Sequence, residues 1–184
     1  MPGQQRADAR RNYTRILSVA EEAVAAHGAN ASLEQIARTA GVGSATVRRH
    51  FPTRHALLRA VSQERIAALV ARAHDLAAEP DSRRALLEWL DDVVSYCVSA
   101  RGLAAALAYD VPDPVHGNSC AATLEEAATP LLTRAADTGA VPPDVTVTDL
   151  ITLIVGITMA TERHADPAAA ATRLFHLAVA GLSR

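Results

Sequence analysis

The stretch Ser32–Leu58, SLEQIARTAGVGSATVRRHFPTRHALL, decides the fold. It reads as two short helices joined by a glycine turn and followed by a third helix. Ser32-Leu33-Glu34-Gln35 has the form of a capping box: the Ser hydroxyl accepts from the Gln35 amide, and the Gln side chain reaches back. Ile36, Ala37 and Ala40 give the first helix an apolar face. Gly41 can take the positive φ that a sharp turn demands. Val42 is placed to fill the angle between the helices, and Val47 and Phe51 to anchor the second helix, over 44–50. Such a helix is about 10 Å long at about 1.5 Å per residue, which suits a major groove about 12 Å wide. Its outward positions are Ser44, Ala45, Thr46, Arg48, Arg49 and His50. Small residues at its start let the backbone approach bases. Thr46 can donate to a phosphate or touch a thymine methyl, and Arg48 and Arg49 can pair with guanine edges or phosphates. Arg54 falls in the first turn of the next helix, where a cation and a free backbone amide can together hold a phosphate.

The charge distribution agrees with this placement. The 184 residues have a formal net charge of −2. Residues 1–60 carry nine Arg against Asp8, Glu21, Glu22 and Glu34, a net of +5, and residues 61–184 carry nine Arg against sixteen acids, a net of −7. A basic head on an acidic body implies that one end meets a polyanion. Arg6, Arg10, Arg11 and Arg15 crowd the N-terminus, as an arm that enters a minor groove or as a frayed, solvated end.

Outward from the glycine turn, nearly every segment shows the helical period. Tyr13, Ile16, Leu17, Ala20, Ala23 and Val24 form one stripe that Gly28 ends. Thr53 caps a long helix with Leu57, Leu58, Val61, Leu69, Val70 and Leu76. Pro80-Asp81-Ser82 precedes a helix bearing Leu86, Leu87, Leu90, Val93, Val94, Cys97 and Val98. A short helix is expected over 101–109 and another from about Asn118. Pro130 interrupts the latter or starts a new helix after Thr129. Thr146-x-x-Asp149 and Asp166-Pro167 open the last two helices. Forty Ala, 9 Gly and 3% aromatic residues favour helix over sheet. The expectation is an all-α chain of about nine helices, with a three-helix head over 1–57 and a helical body over 58–184.

The pattern Ile36-Ala37-x-x-Ala40-Gly41-Val42-x-x-x-Thr46-Val47-x-x-His50-Phe51-x-x-Arg54-x-x-Leu57 resembles the N-terminal signature of the TetR family of transcriptional regulators. Two positions depart from it: Arg48 stands where the family most often has an aromatic residue, and Gly43 where a Ser commonly caps the recognition helix. The resemblance implies a helix-turn-helix DNA-binding head. It also implies a C-terminal ligand-binding and dimerisation body, and a homodimer released from double-stranded operator DNA by a small molecule. The body resembles the family more loosely, through Ala135-x-x-x-Gly139-Ala140-Val141-Pro142-Pro143-Asp144-Val145 and Gly181-Leu182.

The segment from Leu150 to Ala160 is apolar nearly all round and needs cover on every side, from its own subunit or from a second one. By resemblance, Ile154, Ile157, Leu174, Ala178 and Leu182 would lie in a four-helix dimer interface. Trp89 and Tyr96 are seven apart and share a helix face. With Cys97, Tyr109, His116 and Asn118 they are candidate liners of a ligand pocket. Few charges fall on inward faces, so an apolar or weakly polar ligand is expected. The other function classes find little footing. There is no P-loop, His-Glu-x-x-His, Gly-x-Ser-x-Gly or Cys-x-x-Cys pattern, so no enzyme, catalytic residue, cofactor or metal is expected. A helical carrier or enzyme without DNA, and a regulator sensing redox through Cys97 and Cys120, are the alternatives. His116 and Cys120 make only two metal ligands, and a closed zinc site uses four. The absence of an apolar leader or a ~20-residue apolar span points to a cytoplasmic protein.

Overall fold

The computed structural model describes residues 2–100 and 119–182, and the described residues are helical with no strand. The helices are α1 (Pro2–His27), α2 (Leu33–Thr39), α3 (Ser44–His50), α4 (Arg54–Leu76), α5 (Ser82–Ser99), α6 (Ser119–Asp137), α7 (Val147–Thr161) and α8 (Pro167–Leu182), with a 3-10 turn at Gly28–Asn30. The helix expected over 101–109 lies outside the described residues. Arg6, Arg10, Arg11 and Arg15 fall within α1, which begins at Pro2. The described residues form two compact units: 2–64 with 99–100, and 65–98 with 119–182. Their division falls within α4, between Glu64 and Arg65.

The first unit, the head, is built on one apolar cluster: Ile16, Leu17, Ala20 and Val24 of α1, Ala31, Ile36, Ala37, Ala40, Val47, Phe51, and Leu57, Leu58 and Val61 of α4. The start of α2 is as the sequence requires, with the Gln35 amide donating to the Ser32 hydroxyl at 3.4 Å. The reciprocal half of the expected capping box is replaced, because the Gln35 side-chain oxygen accepts from Arg38 at 2.8 Å. A nearby cation competes for that carbonyl. Gly41 has φ +63°. It closes α2 as a Schellman turn: the Gly41 amide donates to Arg38 at 3.1 Å and the Val42 amide to Ala37 at 3.0 Å. Val42 packs against the cluster. The Ala56 amide donates to the Thr53 hydroxyl at 3.0 Å, so Thr53 caps α4.

The second unit, the body, buries the later part of α4 with α5, α6, α7 and α8 around Trp89, Leu90, Leu131, Ile154 and Phe175. Trp89 is fully buried, and its indole N–H donates to the Leu69 carbonyl at 3.0 Å. The Arg134 guanidinium donates to the Ala77 and Glu79 carbonyls, just past the end of α4. Contrary to the expected break, α6 continues through Pro130. Ala127, Ala128, Leu131 and Leu132 are buried on both sides of it. Their burial outweighs the ~3 kcal/mol of an internal proline. A capping box opens α7: the Asp149 amide donates to the Thr146 hydroxyl at 3.1 Å, and the Thr146 amide donates to the Asp149 carboxylate at 3.0 Å. The Thr146 hydroxyl, with help from its amide, holds the Asp149 carboxyl below its ordinary range. Asp166 caps α8, accepting from the Ala169 amide at 3.0 Å.

A Cβ at Gly41 would meet nothing within 4 Å, so an alanine there is penalised by backbone conformation alone. Gly41→Ala is expected to lower stability by about 1–2 kcal/mol, read in urea unfolding. An unchanged midpoint would show that the left-handed turn is not required.

Candidate nucleic-acid interface

The turn at Gly41 sets α3 on the head with one face in and one face out. Val47 and Phe51 are buried, at 1% and 2% exposure. Ser44, Ala45, Arg48 and Arg49 are exposed, and Thr46 and His50 are half-buried. The outer face therefore begins small and ends cationic. Arg48, Arg49 and His50 occupy the last turn of α3, where positive charge also complements the helix dipole. The α3 N-cap is Gly43, in extended backbone with no side-chain cap.

Arg54 is placed differently from the purely outward cation the sequence suggests. One guanidinium nitrogen donates to the Ala31 carbonyl at 2.9 Å. This bond ties the first turn of α4 to the residue just before the α2 cap. Four of the five guanidinium N–H donors are left for other partners. Tyr13 was legible in sequence only as part of a core stripe. Its ring stacks on Phe51, with centroids 5.2 Å apart and planes at 29°. It also meets the His50 ring edge-on, at 5.9 Å and 68°. The signal that sequence reading could have used is the i, i+3 step from Tyr13 to Ile16, which sets Tyr13 at the margin of the buried stripe.

In the body, the candidate pocket residues separate. Trp89 is a core residue with its N–H engaged. Tyr96 and Cys97 are half-buried at the end of α5, packed against the body cluster. Tyr109, His116 and Asn118 lie outside the described residues. Burial pushes the Cys97 thiol up to about 11, so it is protonated and unreactive at neutral pH. Among the described residues, no group of three His, Cys, Asp or Glu could hold a metal. A small hollow of about 20 Å³ lies between Leu86, Leu90, Leu150 and Val179, far below the ~300 Å³ of a small-molecule site.

On α7, Ile154 is fully buried in its own subunit. The outward face is offset from it, to Leu153, Val155 and Met159 on α7 and Leu177 on α8, at 37%, 40%, 71% and 59% exposure. Helical rotation of 100° per residue accounts for the offset: Ile154 and Leu153 cannot share a face. Ile157, Leu174 and Ala178 are half-buried, and the Leu182 side chain lies outside the described residues.

The geometry of the head and the comparisons with known proteins agree. Residues 16–61 match the model for bacterial regulatory proteins of the tetR family. Residues 81–184 match that for the C-terminal domain of SbtR-like transcriptional regulators. The chain belongs to the TetR family of transcriptional regulators. A TetR transcriptional regulator of Streptomyces coelicolor is 33% identical, with a TM-score of 0.76 over 93% of this chain and 98% of that one. A TetR regulator of Mycobacterium vanbaalenii is 33% identical, with a TM-score of 0.73 over 98% and 99%. The Bacillus subtilis FadR regulator, solved with stearoyl-CoA, shares the fold at 18% identity, with a TM-score of 0.55 over 92% and 98%. No curated protein matches. As a member of this family the chain carries a helix-turn-helix DNA-binding domain, formed by α2 and α3. Among the described residues, no helix is long and apolar enough to cross a membrane.

Replacing Arg54 removes the bond to Ala31. Arg54→Met is expected to lower the stability of the head by about 1 kcal/mol, measured by hydrogen exchange of the α2 amides. Unchanged protection of those amides would show that the bond contributes nothing to the head.

Proposed function

We propose that this TetR-family protein is a ligand-responsive repressor that binds double-stranded operator DNA as a homodimer. The observation that carries the reading is the outer face of α3. Its small, exposed Ser44 and Ala45 allow close approach to base edges, and its exposed Arg48 and Arg49 supply the cations, while Val47 and Phe51 hold the helix rigidly. Ser44, Ala45, Thr46, Arg48, Arg49 and His50 are the assigned DNA contacts, and Arg54 offers its remaining donors to a phosphate. Arg48 is assigned to base reading, because its planar fork matches the acceptor pair of guanine.

Selection of bound duplexes from a random pool tests this directly. The protein is expected to enrich a two-fold-symmetric sequence whose half-sites are spaced by whole helical turns. Arg48→Ala is expected to weaken the enriched duplex by about 1–3 kcal/mol and relax preference at one base pair per half-site. Equal weakening on enriched and random duplexes would assign Arg48 to phosphate instead. Failure of the parent protein to enrich any sequence would overturn the reading.

The homodimer is assigned to α7 and α8. Their outward Leu153, Met159 and Leu177, beside the exposed Gly156 and Ala160, form an apolar surface that a second copy would cover. The ligand is assigned to the body, in contact with Tyr96 and the elements around it, and its class is apolar or weakly polar, as the apolar body core favours. The Met159→Glu/Leu177→Glu variant is expected to sediment as a monomer of 19.4 kDa, whereas the parent sediments as a dimer. A monomeric parent would overturn the dimer assignment.

A further inference from the structure

We propose that a reciprocal ion pair sets which chain this protein accepts as its dimer partner: Arg173 of each copy meets the Asp91 carboxylate of the other. The inference rests on the reading of α7 and α8 as the dimer surface and deepens it. Three observations carry it. The first is the place of Arg173. Positions three and four apart share a helix face, so Arg173 stands one turn before both His176 and Leu177, in a strip of α8 with Ala169 and Ala180. All five are exposed. A second copy laid on Leu177 therefore covers Arg173 as well, and the small Ala169 and Ala180 let its backbone approach. The second is an unmet charge. Arg173 has no ion-pair partner among the described residues, and α8 holds no acid. The one acid of α7, Asp149, is engaged in the cap with Thr146, and Asp166 caps α8 itself. Taking a guanidinium out of water is unfavourable unless an anion meets it. The third is a carboxylate held beside the strip. His176 Nε2 lies 2.8 and 3.1 Å from the two Asp91 oxygens, which fixes this α5 side chain against α8. Asp91 is still 40% exposed, and a carboxylate has about four lone-pair sites, so one imidazole leaves it able to accept a guanidinium. Around a two-fold axis every contact is made twice. A surface carrying one open cation and one open carboxylate is thus complementary to its own copy.

The apolar residues supply the area of such a dimer, and the ion pair supplies its selectivity. The test uses two full-length variants, Arg173→Asp and Asp91→Arg, one carrying a mass tag, read by sedimentation velocity and native mass spectrometry. Each variant alone sets like charges opposite each other and is expected to dimerise about a hundredfold more weakly than the parent. Mixed in equal amounts, the two are expected to form the mixed dimer almost exclusively, because both contacts then join opposite charges. The double variant Arg173→Asp/Asp91→Arg is expected to regain the parent's self-association and to refuse the parent as a partner. The charge-removing Arg173→Gln and Asp91→Asn are expected to weaken the dimer by about tenfold each, and little further when combined. Parent-like dimers from both charge-reversed variants, while Met159→Glu/Leu177→Glu is monomeric, would overturn the ion pair and leave the apolar dimer surface standing. Weakened single variants whose mixture yields no mixed dimer would overturn the pairing of these two residues. A monomeric parent overturns both readings at once.

Discussion

The left-handed backbone at Gly41 is the constraint from which the head follows. A chain leaving α2 with any other residue in that conformation would carry a Cβ pressed toward its own carbonyl oxygen. With glycine there, two amide donors turn back onto the Arg38 and Ala37 carbonyls within three residues. Val42 is thereby returned to the core it has just left. That return fixes where α3 begins, and Val47 and Phe51 fix how it is rotated. Rotation decides which side chains face outward. Arg48 and Arg49 are exposed because the positions beside them are needed for burial, so the chemistry of the surface is set by the packing beneath it.

The bond from Arg54 to Ala31 and the ring stack of Tyr13 on Phe51 act on the same element from other sides. One fastens α4 to the residue before α2, and the other fastens α1 to the residue after α3. Each is modest in water. Together they leave the recognition helix held at its preceding turn, its inner face and its far end. A helix of seven residues has little intrinsic stability, so this one depends on tertiary contacts for its existence as well as for its orientation.

Much of this was legible in the chain because it is local. The Ser32 cap, the Gly41 turn, the inward Val47 and Phe51, and the caps at Thr146 and Asp166 each involve residues within a few positions of one another. The same stripes that revealed the helices also named most of the two cores. What escaped was non-local or competitive. Arg54 reaches a carbonyl 23 residues earlier, which no periodicity announces. Gln35 had two possible partners, and Arg38 took it. Pro130 read as a break because its local penalty is visible in sequence, whereas the burial of Leu131 and Ala128 that overrides it is not. On α7, an almost uniformly apolar segment gives no phase: sequence marks that it must be covered but cannot say that Ile154 faces inward and Leu153 outward. The candidate pocket liners were the least legible, since what they face depends on how the helices of the body meet.

Trp89 is the sole tryptophan of the chain, and its indole lies sealed in the body with its N–H on the Leu69 carbonyl. The head contains none; its aromatic residues include Tyr13 and Phe51. Emission excited at the red edge of the indole band therefore originates in one unit alone. The protein carries a built-in optical label for its body, while its helix-turn-helix head stays dark at that wavelength. Loss of order in the body can thus be followed apart from that of the head without adding a probe.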